Sequence, residues 1–180
     1  YIHDQTSLYS YSYESDRYTT LANYSLGQEM TGVFDSKRQL FLLIGNGAVY
    51  AYDVSANSTF QRQTWNTTGG ASIVNANDNP GVAYDPVTDR IVGWNGGNTV
   101  YSLDPTTKVW TPMTFAGGPG SALGNGTFKR WAYSPASGVF AVVNSVDGNA
   151  FALRLAAGGT PPPVDTTAPT APTNVSGTAI

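Results

Sequence analysis

The sequence predicts an all-β chain, and three observations carry that prediction. Residue usage comes first. Of 180 residues only 12% are charged, and Gly, Ser, Thr, Asn and Tyr outweigh Leu, Lys and Glu. That balance starves helix interiors and suits strands joined by polar turns. Repetition comes second: Gly32–Asp53, Gly81–Asp104 and Arg130–Arg154 align with one another. Within them Phe34, Tyr84 and Tyr133 are 50 and 49 residues apart, and Tyr50, Tyr101 and Phe151 are 51 and 50 apart. A fixed period of this size marks a repeated supersecondary unit. Third, each unit reads as a strand, a polar turn, an apolar strand, a Gly/Asn turn and an alternating strand.

Taken in order, the chain opens on Ser7–Tyr13, which alternates with period two, and Glu14–Arg17 supplies a turn. Tyr18 then takes the place of Phe60 and Trp110 in later units, so this piece reads as the last two strands of a unit lacking its first half. The middle strands of the full units, Leu40–Ile44, Arg90–Trp94 and Val139–Val143, are continuously apolar, as strands covered on both faces should be. The most legible stretch is Trp94–Trp110. Its Gly96-Gly97 doublet accepts positive φ in a tight turn. Asp104-Pro105 starts the next turn, the carboxylate capping backbone N–H groups and the ring presetting φ.

A Gly-Gly doublet, Tyr101 a few residues on and Trp110 after the next turn, repeated at about 50 residues, resemble the kelch motif over about residues 7–155. The resemblance implies four-stranded antiparallel blades of a β-propeller, here about three and a half of them, in residues 1–157. A Pro/Thr/Gly-rich linker (158–173) and a strand (174–180) resembling the start of a fibronectin type III module follow. Linker and third unit together look like the C-terminal end of secreted bacterial propeller proteins. Galactose-oxidase-like enzymes share the kelch architecture, but their copper site needs two histidines and a tyrosine cross-linked to cysteine. With one histidine, His3, and no cysteine, this chain is excluded from that chemistry.

A formal charge of −3 and sparse Lys/Arg argue against a nucleic-acid surface, which needs clustered cations. No apolar run approaches the roughly 20 residues of a membrane span. Without cysteine there are neither disulfides nor thiolate catalysis, which leaves the compartment open. A start at Tyr1 without Met or signal peptide points to a processed chain or fragment.

Asp35, Asp85 and the matching Ser134 sit at each unit's first turn, and Asp53 and Asp104 at the second. Recurrence at equivalent places is the mark of turn capping rather than catalysis. Asp78 and Asp147 lie in oxygen-rich loops that could ligate Ca²⁺, yet neither shows the spacing of a dedicated loop, so no cofactor is expected. Among the aromatics, most occupy repeat-equivalent core positions. Trp65 and Trp131 border longer loops and are the candidates for exposed faces that stack on sugars. Asn23, Asn57, Asn66, Asn125 and Asn174 each open an N-glycosylation sequon. His3, near the terminus, reads as inert.

No catalytic triad, phosphate loop or zinc spacing appears. The function expected is therefore a non-catalytic extracellular module for binding or structural assembly. It would self-associate through sheet edges or the Pro169–Ile180 tail, and a filament subunit is one form this takes. The alternative is a carbohydrate-active enzyme or lectin-like, polysaccharide-binding module whose site needs blades beyond this chain. Whatever is bound should lie in the parts that do not repeat, Asn66–Pro80, Phe115–Phe128 and the tail.

Overall fold

The computed structural model describes residues 1–155, and within them every regular element but one short helix is a strand. The first sheet holds β1 (Ile2–His3), β2 (Ser7–Ser12) and β3 (Arg17–Asn23). The second holds β4 (Thr31–Asp35), β5 (Leu40–Gly45), β6 (Ala48–Asp53) and β7 (Arg62–Thr64). Helix α1 (Ala71–Val74) precedes the third sheet, β8 (Gly81–Asp85), β9 (Arg90–Trp94), β10 (Thr99–Asp104) and β11 (Val109–Thr114). The fourth holds β12 (Trp131–Ser134), β13 (Val139–Val143) and β14 (Ala150–Leu153). The chain is all-β, four antiparallel sheets each wound as a meander.

Register explains why the sequence repeats. Directly opposed residues share a face of a sheet, so each row across the strands belongs to one interface. Tyr84, Ile91, Leu103 and Trp110 form one row of the third sheet. They pack on Val33, Leu42 and Ala51, a row of the second. On the third sheet's other face, Trp94 and Val100 meet Trp131, Phe140 and Val142 of the fourth. Between the first two sheets, Leu8 packs against Phe41, Leu43 and Tyr52. The periodic aromatics thus all lie on the face turned toward the preceding sheet, while the face toward the following sheet carries the aliphatic row Val33, Leu42, Ala51 in the second sheet and Trp94 beside Val100 in the third.

Four expectations need correction. The N-terminal piece has three strands, because Ile2 and His3 pair with Tyr9 and Leu8. His3 is not inert, since its Nε2 lies 2.9 Å from the Tyr52 hydroxyl, and burial lowers the imidazole pKa while raising that of Tyr52 to about 12. Tyr18 and Trp110 do share a position, opposite the corresponding residues Tyr11 and Leu103. The residue opposite Tyr52 is however Arg62, not Phe60, because the intervening turn of the second sheet is longer and carries Phe60 outside the strand. Finally, among the described residues β13 is covered on one face only: Phe140 and Val142 are buried, while Ala141 and Val143 are exposed.

The turns are built as the repeats imply. Gly96 and Gly97 have φ of 96° and 72°, where a side chain would be strained. Asp35, Asp85, Asp53 and Asp104 each accept a backbone N–H two residues on, at 2.8–3.0 Å, and Ser12, at the matching place in the first sheet, accepts from Ser15.

Candidate functional site

Trp65 and Trp131, expected as exposed faces, are core residues, 7% and 3% exposed. Trp65 joins the cluster between the second and third sheets, with the Lys108 ammonium 5.1 Å from its ring centroid. Trp131 stands between Trp94 and Phe140, with ring centroids at 6.2 and 5.1 Å, and its indole N–H donates to the Val92 carbonyl at 3.2 Å. A tryptophan beside a long loop reads as exposed, but here both rings turn in between packed sheets. Asn66–Pro80 packs inward as well. Its helix α1 drives Ile73, fully buried, into the core, over Gly93, where any side chain would meet it.

Asn23, Asn57, Asn66 and Asn125 are exposed. Asn23 accepts a hydrogen bond from the Ser7 hydroxyl at 2.8 Å, and the Thr127 that completes the Asn125 sequon is buried. Asn174, the 158–173 linker, the 174–180 strand and the Pro169–Ile180 tail lie outside the described residues. Asp147 is exposed and Asp78 half-buried, with one carboxylate oxygen unpartnered. Among the described residues no three acidic, histidine or cysteine side chains gather as a metal site, and no helix is long and apolar enough to cross a membrane.

One polar group missed in the sequence ties two sheets together. Arg38, in the turn after β4, donates to buried Asp35 at 2.9 Å and reaches across to both carboxylate oxygens of Asp89, in the turn after β8, at 2.7 and 2.8 Å. Lys37 and the Tyr84 hydroxyl also bond Asp89. Arg38 and Asp89 are 51 residues apart, one repeat, so only the folded stack reveals the pair. These donors hold the Asp89 carboxyl well below the usual carboxylate range, Arg38 first among them. The backbone N–H of Thr106 does the same for Asp104, and that of Thr6 draws Asp4 to about 2. A carboxyl depressed on folding stabilises above its unfolded pKa, near 4, and that stability is lost as pH falls below it. Urea midpoints are therefore expected to drop between pH 5 and pH 3, and Asp89→Asn to flatten that slope. A slope unchanged in Asp89→Asn would contradict the assignment.

Among the described residues the two ends of the array are uncovered. In the fourth sheet the rows Ala132, Ala141, Ala152 and Val143, Ala150 are exposed and face away from the third sheet. Among the described residues β14 pairs only with β13, and an apolar groove of about 320 Å³ runs beside it, lined by Trp94, Val100, Phe115, Val142, Phe151 and Leu153. Phe115 belongs to the non-repeating Phe115–Phe128 loop. At the other end the first sheet shows solvent the rows Ile2, Tyr9, Thr20 and Tyr11, Tyr18, with the last two rings 4.9 Å apart and Tyr11 bonded to Asp16.

No family model matches the chain, and no curated protein matches it. The reading of function therefore rests on these surfaces alone. The second sheet sets the aliphatic row Val33, Leu42, Ala51 against the aromatic-bearing row of the third, whereas at the third–fourth interface both sides carry aromatics. The uncovered end of the fourth sheet is aliphatic, and that of the first sheet bears aromatics.

Proposed function

We propose that the chain is a non-catalytic extracellular module for binding and assembly, and that its sheets are successive blades of a kelch-like propeller. In this reading the Ala/Val face of the fourth sheet docks on the Ile2/Tyr9/Tyr11/Tyr18 face of the first sheet of a second copy. The observation that carries it is the complementarity of the two uncovered faces, which repeats the packing of the aliphatic Val33, Leu42, Ala51 row on the aromatic-bearing row of the third sheet. Contact of one face with a different face is heterologous, so it closes into a ring or propagates as a filament. Two copies would set eight sheets in series, the upper end of the usual range for closed propellers. The unpaired β14 edge adds a row of backbone donors and acceptors that favours such docking.

Sedimentation velocity across a wide concentration range tests this. The weight-average sedimentation coefficient is expected to rise with concentration, and Val143→Lys to abolish the rise, because it sets a charge in the contact. A compact monomer at every concentration would refute the proposal.

A further inference from the structure

A second surface, which meets the uncovered faces only at Ala132, has the properties of a small-ligand site. The first strands of the second, third and fourth sheets converge on a cavity of about 580 Å³, within the range of ligand pockets. Its accessible aromatic walls are the rings of Tyr1, Phe34 and Tyr133, with Tyr84 and Trp131 buried behind them, and among the described residues its lining contains one charged side chain, Lys129, and no carboxylate. The nearby acids are engaged elsewhere. Asp85 caps its own turn, and Asp89 is held by Arg38, Lys37 and Tyr84.

Lys129 is held there under strain. Phe128 and Lys129 have φ of 43° and 64°, two consecutive side-chain-bearing residues in the left-handed region, where non-glycine residues are rare and costly. Such strain concentrates where geometry serves a ligand. The residue as a whole is exposed, but its ammonium bonds the Gly32 carbonyl of β4. An ammonium has three donors, and this is the one acceptor among the described residues that the structure gives it. Partial desolvation pulls the Lys129 pKa below its ordinary value, as expected of a cation taken from water without a counter-charge.

We infer that this cavity binds a carboxylate carried on a ring-sized body, with Lys129 as its counter-ion and the aromatic walls as the surface against the ring. A single cation suits a monoanion, and the rings supply apolar area at small entropic cost. The inference does not require the assembly reading, because the cavity shares only Ala132 with the uncovered face of the fourth sheet and no residue with that of the first.

Ligand-observed NMR titration of the full chain tests it, using benzoate and glucuronate with benzamide and glucose as neutral counterparts. The two acids separate an aromatic from a sugar body. At least one acid is expected to bind tenfold or more tighter than its neutral counterpart, to lose tenfold in Lys129→Met, and to stay within threefold in Lys129→Arg. Raising salt should weaken that acid in the unmodified chain, a readout that does not depend on a variant folding. Equal binding of acid and neutral counterpart, no binding of either acid, or binding insensitive to salt and to Lys129→Met would each overturn the inference.

Discussion

Trp131→Ala is expected to destabilise the chain by about 4 kcal/mol, the scale of a buried tryptophan truncation. Three losses combine. Its rings sit against Trp94 on one side and Phe140 on the other, so two aromatic contacts go with it. The indole N–H that satisfies the Val92 carbonyl disappears. Above all, Trp131 forms part of the wall of both the groove beside β14 and the cavity at the first strands. Truncation would enlarge both spaces, and residues already lining two cavities have little to collapse onto, which places the cost in the upper range. Trp131→Phe should recover more than half of it. Equilibrium urea unfolding followed by far-UV circular dichroism measures both. A loss under about 1 kcal/mol for Trp131→Ala would show that the third and fourth sheets do not depend on this ring.

Arg38→Met should be the second large effect, at about 3 kcal/mol. Asp35 is fully buried and would keep its bonds from the Lys37 and Arg38 backbone N–H groups but lose its only ionic partner among the described residues. Asp89 would lose both guanidinium bonds and keep Lys37 and Tyr84. Removing one partner of a buried charge is costlier than removing both. Asp35→Asn combined with Arg38→Met is accordingly expected to be less destabilised than the sum of the single changes. Additive costs in that double-mutant cycle would mean that Arg38 and Asp35 are not coupled within the turn after β4.

The strands and turns were legible because they recur. β9 and β10 fall where the repeat places them, and the rows Phe34/Tyr84/Tyr133 and Tyr50/Tyr101/Phe151 lie on one kind of face because a period near 50 returns each residue to the same register. What the sequence hid is what happens once. Helix α1 has four residues, no capping side chain and no acid in its first turn, so Ile73 carried no helical signal, yet it plugs the core. β1 is two residues long and is defined only by its partner. Trp65 and Trp131 misled because exposure was inferred from their flanking loops, whereas both rings turn in between packed sheets. Arg38 with Asp89, and Lys129 with Gly32, are partners from different repeats, invisible to local pattern.

The same logic bears on function. Residues that repeat, such as Asp104 and Tyr101, serve the scaffold in every sheet. Those that break the repeat are the strained Phe128–Lys129 pair, the groove beside β14 and the two uncovered faces. Among the described residues these present apolar rows, a β14 edge with no further strand and one ammonium bonded to a carbonyl.

Mixing two singly blocked variants tests the assembly claim most directly. Tyr18→Glu disables the face of the first sheet and Val143→Glu that of the fourth. Each variant alone should sediment as a monomer, because a heterologous contact needs one intact face of each kind. Mixed in equal amounts, the two should form a heterodimer through the one remaining complementary pair. A mixture that stays monomeric at concentrations where the unmodified chain associates, or a single variant that still associates with itself, would contradict the account.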